Sequence, residues 1–158
     1  MLNLTELLTI SGVTIWSGFG GDYVCFISDL DVCTDGSGPH HGDRTAQDQT
    51  AYYNGGKYLN ADIDQYIVVP PQIRRMVAPV VMGCQARLTA ITKGAWWPAM
   101  VGDIGPASKT GEAAICLAQK ANPKVSANVG DSRRIYLYEL WPGIPSVVDG
   151  TQYKLEPA

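Results

Sequence analysis

The sequence lacks the features that identify a membrane protein or a nucleic-acid-binding protein. It contains no run of about 20 apolar residues, which excludes a transmembrane helix. It contains no basic run, and its 158 residues carry a formal net charge of −3, which argues against nucleic-acid binding. The N-terminus, MLNLTELLTISGVTIW, has no positive region followed by a long apolar core, so it does not read as a secretory signal. We expect neither a membrane nor a nucleic-acid partner.

The composition is that of one globular domain. Hydrophobic residues make up 46% of the chain and charged residues 17%, and a chain of this length can bury a sizeable core. We expect a single domain over 1–158, with its core over about 9–143 and a C-terminal hairpin or tail over 144–158. A monomer is expected, and its mildly acidic surface favours a cationic ligand.

The four cysteines form no CxxC pair, so the strong zinc and thioredoxin patterns are absent. Three full disulfide pairings are compatible with the sequence. Cys25 and Cys33 flank a turn-rich segment and are the favoured pair. Cys84 and Cys116 lie in apolar contexts, which is typical of buried thiols.

Alternating and β-branched residues predict a β-rich domain. We expect a hairpin around Asp149-Gly150 and one main helix, which begins at Glu112 where Ala, Leu, Gln and Lys become frequent. Six or seven short strands with one helix favour a barrel over a layered α/β sheet. The clearest predicted strands are 9–16, 22–32, 66–69, 80–91 and 135–140.

The stretch Trp96 to Ala121 places two carboxylates around one loop. Asp103 is predicted at the end of a strand and Glu112 in the first turn of the helix. Two carboxylates are what glycosidic cleavage needs, one to protonate the leaving oxygen and one to activate water or attack the sugar. The spacing alone equally fits structural roles, since Asp bonds turn amides and Glu complements the helix dipole.

An Asp-rich segment, DLDVCTDGSGPHHGD, spans residues 29–43. A calcium loop of the EF-hand type does not fit, because the fifth residue from Asp29 is Cys33 and the twelfth is His40. A zinc site from the cysteines and histidines has no recognised spacing. Two interpretations of this segment stay open, a cluster of Asp/Gly turns and the acidic wall of a cleft. No metal is expected. The zinc candidates are Cys25, Cys33, His40 and His41.

The segment VGDIGPASKTGEAAICLA resembles the active-site region of glycoside hydrolase family 75, the fungal-type chitosanases. There, a Gly-Asp follows a strand and a Gly-Glu-Ala opens a helix, which match Gly102-Asp103 and Gly111-Glu112-Ala113. Three other segments resemble family segments in the same order, so the likeness covers about residues 22–143. They are DLDVCTDGSGPHHGD, YLNADIDQYIVVPPQI and YELWPG.

This resemblance implies a six-stranded double-psi-type β-barrel with cleft-forming loops. It implies endo-hydrolysis of β-1,4-linked glucosamine polymers (chitosan) with inversion, without a cofactor, and with Asp103 and Glu112 as the catalytic pair. Family members are usually secreted, whereas no signal is predicted here. A copy without a signal fits a phage or viral gene whose product acts outside the cell after lysis or is built into a particle.

Under this hypothesis Glu112 is the general acid and Asp103 the general base, with carboxyl groups about 6.5–9.5 Å apart. A helix N-terminus would lower the pKa of Glu112, which opposes an acid role. Nearby aspartates would offset this effect and would also bind the ammonium groups of a glucosamine polymer. Ser108 or Thr110 could instead cap the helix. The expected substrate-binding residues are Asp29, Asp31, Asp35, Asp43, Lys109 and Thr110.

Three other functions remain open at this stage. The same carboxylate pair could cleave another amino-sugar polymer, such as peptidoglycan in phage lysis. The domain could be a non-catalytic carbohydrate-binding or virion structural barrel. It could also be a metal-dependent protein that uses the Asp/His segment, and chelator sensitivity would distinguish that case.

Overall fold

A computed structural model describes residues 3–76, 80 and 82–156. No helix in this part of the chain is long and apolar enough to cross a bilayer. The strands are β1 (Thr5–Ile10), β2 (Val13–Gly18), β3 (Tyr23–Cys33), β4 (Tyr53–Asn54), β5 (Lys57–Tyr58), β6 (Tyr66–Val69), β7 (Cys84–Ala90), β8 (Ala95–Ile104), β9 (Glu112–Ala114), β10 (Asp131–Pro145), β11 (Val147–Val148) and β12 (Thr151–Gln152). The helices are α1 (Pro71–Met76) and α2 (Ile115–Ala121).

Six strands close into a barrel in the order β3-β10-β7-β8-β6-β9, and β9 pairs back onto β3. The pairs β3–β9 and β6–β8 are parallel, and the other four are antiparallel. The β1–β2 hairpin extends the sheet alongside β3. The expectation of a mainly β fold with a six-stranded barrel is confirmed.

The barrel interior follows from the alternation of side chains along its strands. In β7, Ala86, Leu88 and Ala90 are buried and the residues between them are partly exposed, as expected for a strand with one face on the core. Strand β6 is buried along its whole length. Val68 in this strand is paired with β8 on one side and with β9 on the other.

Several predicted strands are confirmed with changed bounds. The predicted strand 9–16 is instead the turn and parts of both strands of the β1–β2 hairpin. Ser11 and Gly12 have φ values of +47° and +81°, the positive angles that a tight two-residue hairpin turn requires. The predicted strand 80–91 is shortened to β7, and Val81 lies outside the described residues. The hairpin around Asp149-Gly150 is confirmed by the β11–β12 pairing.

The prediction that Glu112 begins the helix was wrong. Residues Glu112–Ala114 form β9, which is hydrogen-bonded to β3 on one side and β6 on the other, and α2 begins only at Ile115. Strand pairing therefore outweighs the helix-favouring composition at Glu112–Ala114. Ala114 is the N-cap residue and makes no side-chain capping bond, so capping by Ser108 or Thr110 was also wrong.

The favoured disulfide was wrong as well, because all four cysteines are free. Cys25 and Cys33 both lie on β3, and eight residues of extended strand separate them by about 26 Å. Cys84 is a buried thiol as predicted, whereas Cys116 is partly exposed.

Candidate active site

Two strands bring the carboxylates to either side of Val68. In the β6–β8 pairing Val68 lies opposite Asp103, and in the β6–β9 pairing it lies opposite Glu112. Adjacent strands are about 4.8 Å apart, so the two Cα atoms are separated by about 9–10 Å. The pairing pattern thus fixes the distance between two residues that a loop separates in sequence.

Both carboxylates open into one acidic cavity of about 490 Å³, a volume typical of small-ligand sites. Four carboxyl groups and one ammonium group are among its lining side chains, so it carries net negative charge. Its walls come from the end of β3, the loop after it, β6, the end of β8 and the loop into β9. The lining residues are Cys33, Thr34, Asp35, Asp43, Thr45, Gln47, Val68, Asp103, Ile104, Gly105, Pro106, Lys109 and Glu112.

Asp103 is only 5% exposed. Its Oδ1 accepts hydrogen bonds from the backbone N–H groups of Ala51 (2.8 Å) and Ile104 (3.0 Å). Burial, and then the neighbouring Asp35 carboxyl group, raise the pKa of Asp103 to about 8, although the two amides oppose the rise. Asp103 can therefore hold a proton at neutral pH.

Glu112 is half-buried and faces the same cavity. Burial raises its pKa to about 7, the Lys109 ammonium group lowers it, and the charges of Asp31, Asp35 and Asp43 raise it. Because Glu112 lies on a strand, the expected conflict with a helix dipole does not arise. Its pKa near neutrality suits a group that must exchange a proton with water.

The loop between the carboxylates is held by hydrogen bonds at its middle and at the residue before Glu112. Gln72 donates from Nε2 to the carbonyl oxygen of Ala107 (2.6 Å), and Ser11 donates from Oγ to that of Ser108 (2.7 Å). The carbonyl oxygen of Gly111 accepts the N–H of Asp31 (2.7 Å). These bonds connect the chain that leads into Glu112 to α1, to the β1–β2 turn and to β3.

Four of the six predicted substrate-binding residues lie at the cavity. Asp35, Asp43 and Lys109 line it. Asp31 is at its edge, where its Oδ2 lies 3.1 Å from the Nζ of Lys109. The acidic wall expected from the sequence is therefore present in this part of the structure.

The other two predicted residues, Asp29 and Thr110, are not among the residues that line the cavity. Thr110 is buried, and its Oγ1 lies 2.8 Å from the Oγ of Ser28. Ser28 also donates to the Oδ1 of Asp29 (3.0 Å). Asp29 and Ser28 pack closely against Gly111, since a Cβ added there would lie 2.4 Å from Asp29 Oδ1 and 2.5 Å from Ser28 Oγ.

Sequence reasoning missed Cys33 and Tyr66, which contact the Asp103 side of the site. The Cys33 thiol donates to Asp103 Oδ2 (3.9 Å) and lies 3.5 Å from the Tyr66 hydroxyl. Tyr66 in turn donates to the backbone carbonyl oxygen of Asp35 (2.9 Å). Both residues lie in segments that resemble the family, but the sequence offered Cys33 only as a disulfide or zinc candidate and gave no signal that Tyr66 lies near Asp103.

Cys33, Asp35 and Asp103 each place one potential ligand atom within 4.8 Å of the others. Burial raises the pKa of the Cys33 thiol, whereas metal binding needs the thiolate. Hard cations need six or more oxygen ligands, and Asp103 already uses one oxygen for two backbone amides. This donor set does not fit a metal centre.

The zinc alternative fails on distance. Cys25 and Cys33 are too far apart on β3 to share an ion. His40 Nε2 lies 2.8 Å from Asp48 Oδ1, and His41 Nε2 lies 2.5 Å from an oxygen of Asp62. Neither histidine is among the residues that line the cavity.

Replacing Lys109 tests the electrostatics of the site without any assay of function. Lys109→Met removes the cation that lowers the pKa of Glu112, so we expect that pKa to rise by about 0.5–1 pH unit. The measurement is a ¹³C NMR titration of the Glu112 carboxyl group. Lys57→Met, on the exposed strand β5, is the matched control and should leave the titration unchanged. An unchanged or lower pKa in Lys109→Met would contradict the prediction.

No protein-family model matches this chain, and no curated protein matches it either. Two carboxyl groups with raised pKa values, on either side of a site lined with further carboxylates, can donate and accept protons across a bound ligand.

Proposed function

We propose that the chain is a glycoside hydrolase that cleaves β-1,4-linked glucosamine polymers by an inverting two-carboxylate mechanism. The observation that carries the proposal is the placement of Asp103 and Glu112 opposite Val68 in one acidic cavity. The resemblance of four sequence segments to the fungal-type chitosanases supports the same reaction.

The charge of the cavity supports a cationic sugar. Asp35 and Asp43 line it together with the two candidate catalytic residues, against Lys109. A glucosamine unit carries an ammonium group where an acetylated unit carries a neutral amide. The carboxylates would favour the deacetylated polymer by attraction at close range, where water screens charges weakly.

The environments of the two carboxyl groups favour the opposite roles from those expected from the sequence, where Glu112 was the acid and Asp103 the base. Asp103 is the more deeply buried and has the higher pKa, so it suits the acid that protonates the leaving oxygen. Glu112 lies near Lys109, whose charge stabilises the carboxylate. We therefore take Glu112 as the base that removes a proton from the attacking water.

The spacing supports inversion. A Cα separation of about 9–10 Å is compatible with the carboxyl separation that an inverting enzyme needs to admit a water molecule beside the sugar. Retaining enzymes hold these groups at only about 5–5.5 Å, and inverting enzymes at about 6.5–9.5 Å. A β-linked substrate should therefore release the α-anomer first.

The test measures reducing-end release from soluble chitosan, with chitin oligomers and peptidoglycan as parallel substrates. We expect cleavage of chitosan that is lost in Glu112→Gln, and ¹H NMR of early products should show the α-anomer. Lys57→Met, on the exposed strand β5 outside this cavity, serves as the control variant that keeps both carboxylates. Early β-anomer would overturn the inverting mechanism.

The alternatives appear as distinct results of the same assay. Turnover of peptidoglycan but not chitosan would assign the protein to the lysis function. Binding to a polymer without any turnover would leave a non-catalytic barrel. Activity that survives Glu112→Gln at the wild-type level would contradict the assigned pair.

A further inference from the structure

A third carboxyl group lies against Asp103. One carboxylate oxygen of Asp35 and one of Asp103 lie within 4.8 Å of each other, with the Cys33 sulfur at the same distance or less from both. Asp35 follows directly after β3 and is partly exposed at the cavity wall, whereas Asp103 is buried at the end of β8. The roles assigned so far to Asp103 and Glu112 leave Asp35 without a part in proton transfer.

Backbone amides hold both aspartates in place. Asp103 Oδ1 accepts two N–H groups, one of them from Ala51, and Asp35 Oδ1 accepts the N–H of Gln47 (2.7 Å). Gln47 also accepts the N–H of Gly36 at its carbonyl oxygen (2.9 Å). Because one loop supplies amides to both carboxyl groups, neither can turn away from the other without breaking these bonds.

The groups that surround Asp103 do not neutralise a second negative charge. The Cys33 thiol and the Tyr66 hydroxyl both contact this region as neutral groups, since burial raises the pKa of each. Lys109, the cation that lines the cavity, is paired with Asp31.

Glu112 and Asp43, which line the same cavity, add only further negative charge. Two carboxylates this close, one of them buried, cannot both ionise readily.

We propose that Asp35 and Asp103 form a carboxyl pair that shares one proton, and that Asp35 is the positioning residue that keeps this proton on Asp103. The catalytic consequence rests on the proposed function. When the bond between C1 and the leaving oxygen breaks, Asp103 gives its proton to that oxygen. Water forms the new bond to C1 and loses a proton to Glu112, and exchange with solvent restores both groups. Asp35 neither gives a proton to the substrate nor takes one from the attacking water.

The pair is tested by ¹³C NMR titration of protein labelled at the aspartate carboxyl carbons. In the wild type we expect the Asp103 resonance, identified by its loss in Asp103→Asn, to titrate in two steps because the two neighbouring carboxyl groups interact. In Asp35→Asn the two steps become one, with a midpoint at least about 1 pH unit lower than the main wild-type step. The basic limb of the pH–activity profile should move down by the same amount.

Asp48→Asn is the matched control, because Asp48 lies on the same loop with its side chain 93% exposed and the variant loses the same charge. It should leave the titration of Asp103 unchanged. A single step in the wild type, or an unchanged midpoint in folded Asp35→Asn, overturns the pair. The wild-type titration decides the question even where Asp35→Asn does not fold. Two-step titration without turnover of any polymer would keep the pair and overturn the proposed function.

Discussion

Asp103→Asn is expected to lower the proposed turnover of chitosan strongly and, at alkaline pH, to raise the stability of the fold. Loss of a general acid lowers the rate by about 10²- to 10⁴-fold. The amide of the variant can still accept the Ala51 and Ile104 N–H groups at its oxygen. Its NH₂ group can donate toward Asp35, so the variant resembles the protonated form of the site.

The gain in stability depends on pH in a defined direction. An aspartate in an unfolded chain titrates near pH 4, whereas Asp103 titrates near pH 8 in the fold. Between these values the folded protein holds a proton that the unfolded chain has released, so stability falls as pH rises. The variant escapes this loss and should be more stable by about 1 kcal/mol or more at pH 9, or about 2–4 °C in Tm.

Calorimetry of the wild type and Asp103→Asn from pH 4 to pH 9 measures this effect. Asp131→Asn is the control with the opposite sign, because hydrogen bonds from Arg133 hold the pKa of Asp131 well below its usual range. That variant should be less stable than the wild type by an amount that stays nearly constant from about pH 5 to pH 9, because an unfolded aspartate releases its proton near pH 4. A Tm difference for Asp103→Asn that does not grow with pH would contradict the buried, protonated state of Asp103.

Gly111→Ala is expected to cost at least about 2 kcal/mol of stability and most of the activity. Gly111 has a φ of +81°, and an added Cβ would lie 2.4 Å from Asp29 Oδ1 and 2.5 Å from Ser28 Oγ. It would also lie 2.5 Å from the backbone oxygen of Asp29, which cannot rotate away. The chain must therefore shift at the residue that precedes Glu112, and the bond from Asp31 N–H to Gly111 is weakened.

Gly94→Ala separates backbone strain from this close contact. Gly94 also has a positive φ, +63°, but an added Cβ meets no atom within 4 Å. This variant should lose about 1 kcal/mol and keep its activity. Urea unfolding and reducing-end assays on both variants provide the comparison. Equal losses in the two variants would show that the packing at Gly111 has no special effect.

The sequence predicted the barrel because its strands have a clear alternation, as β7 shows with Ala86 and Leu88 buried. It placed Asp103 correctly at the end of a strand. It failed at Glu112, because Glu112–Ala114 have a helix-favouring composition and become a strand only through pairing with β3 and β6. A three-residue strand between two long-range partners has no periodicity that a local pattern can reveal.

The sequence also could not show which aspartates meet. Asp29 and Asp31 looked equivalent on alternating strand positions, yet Asp31 reaches the cavity through Lys109 and Asp29 binds Ser28 instead. The approach of Asp35 to Asp103 joins two segments through a loop that supplies backbone amides. Backbone hydrogen bonding of this kind leaves no signature in side-chain identity.

The position of β10 has a consequence for the order in which the protein can be made. This strand, Asp131–Pro145, lies between β3 and β7 in the barrel and pairs with both. All the residues that line the cavity come before it in the chain. During synthesis on the ribosome, the nascent chain therefore carries every reactive group before the barrel can close. Ser28 can pair with Tyr136 only after β10 has been made, so we expect the cleft to form in a late and slow folding step.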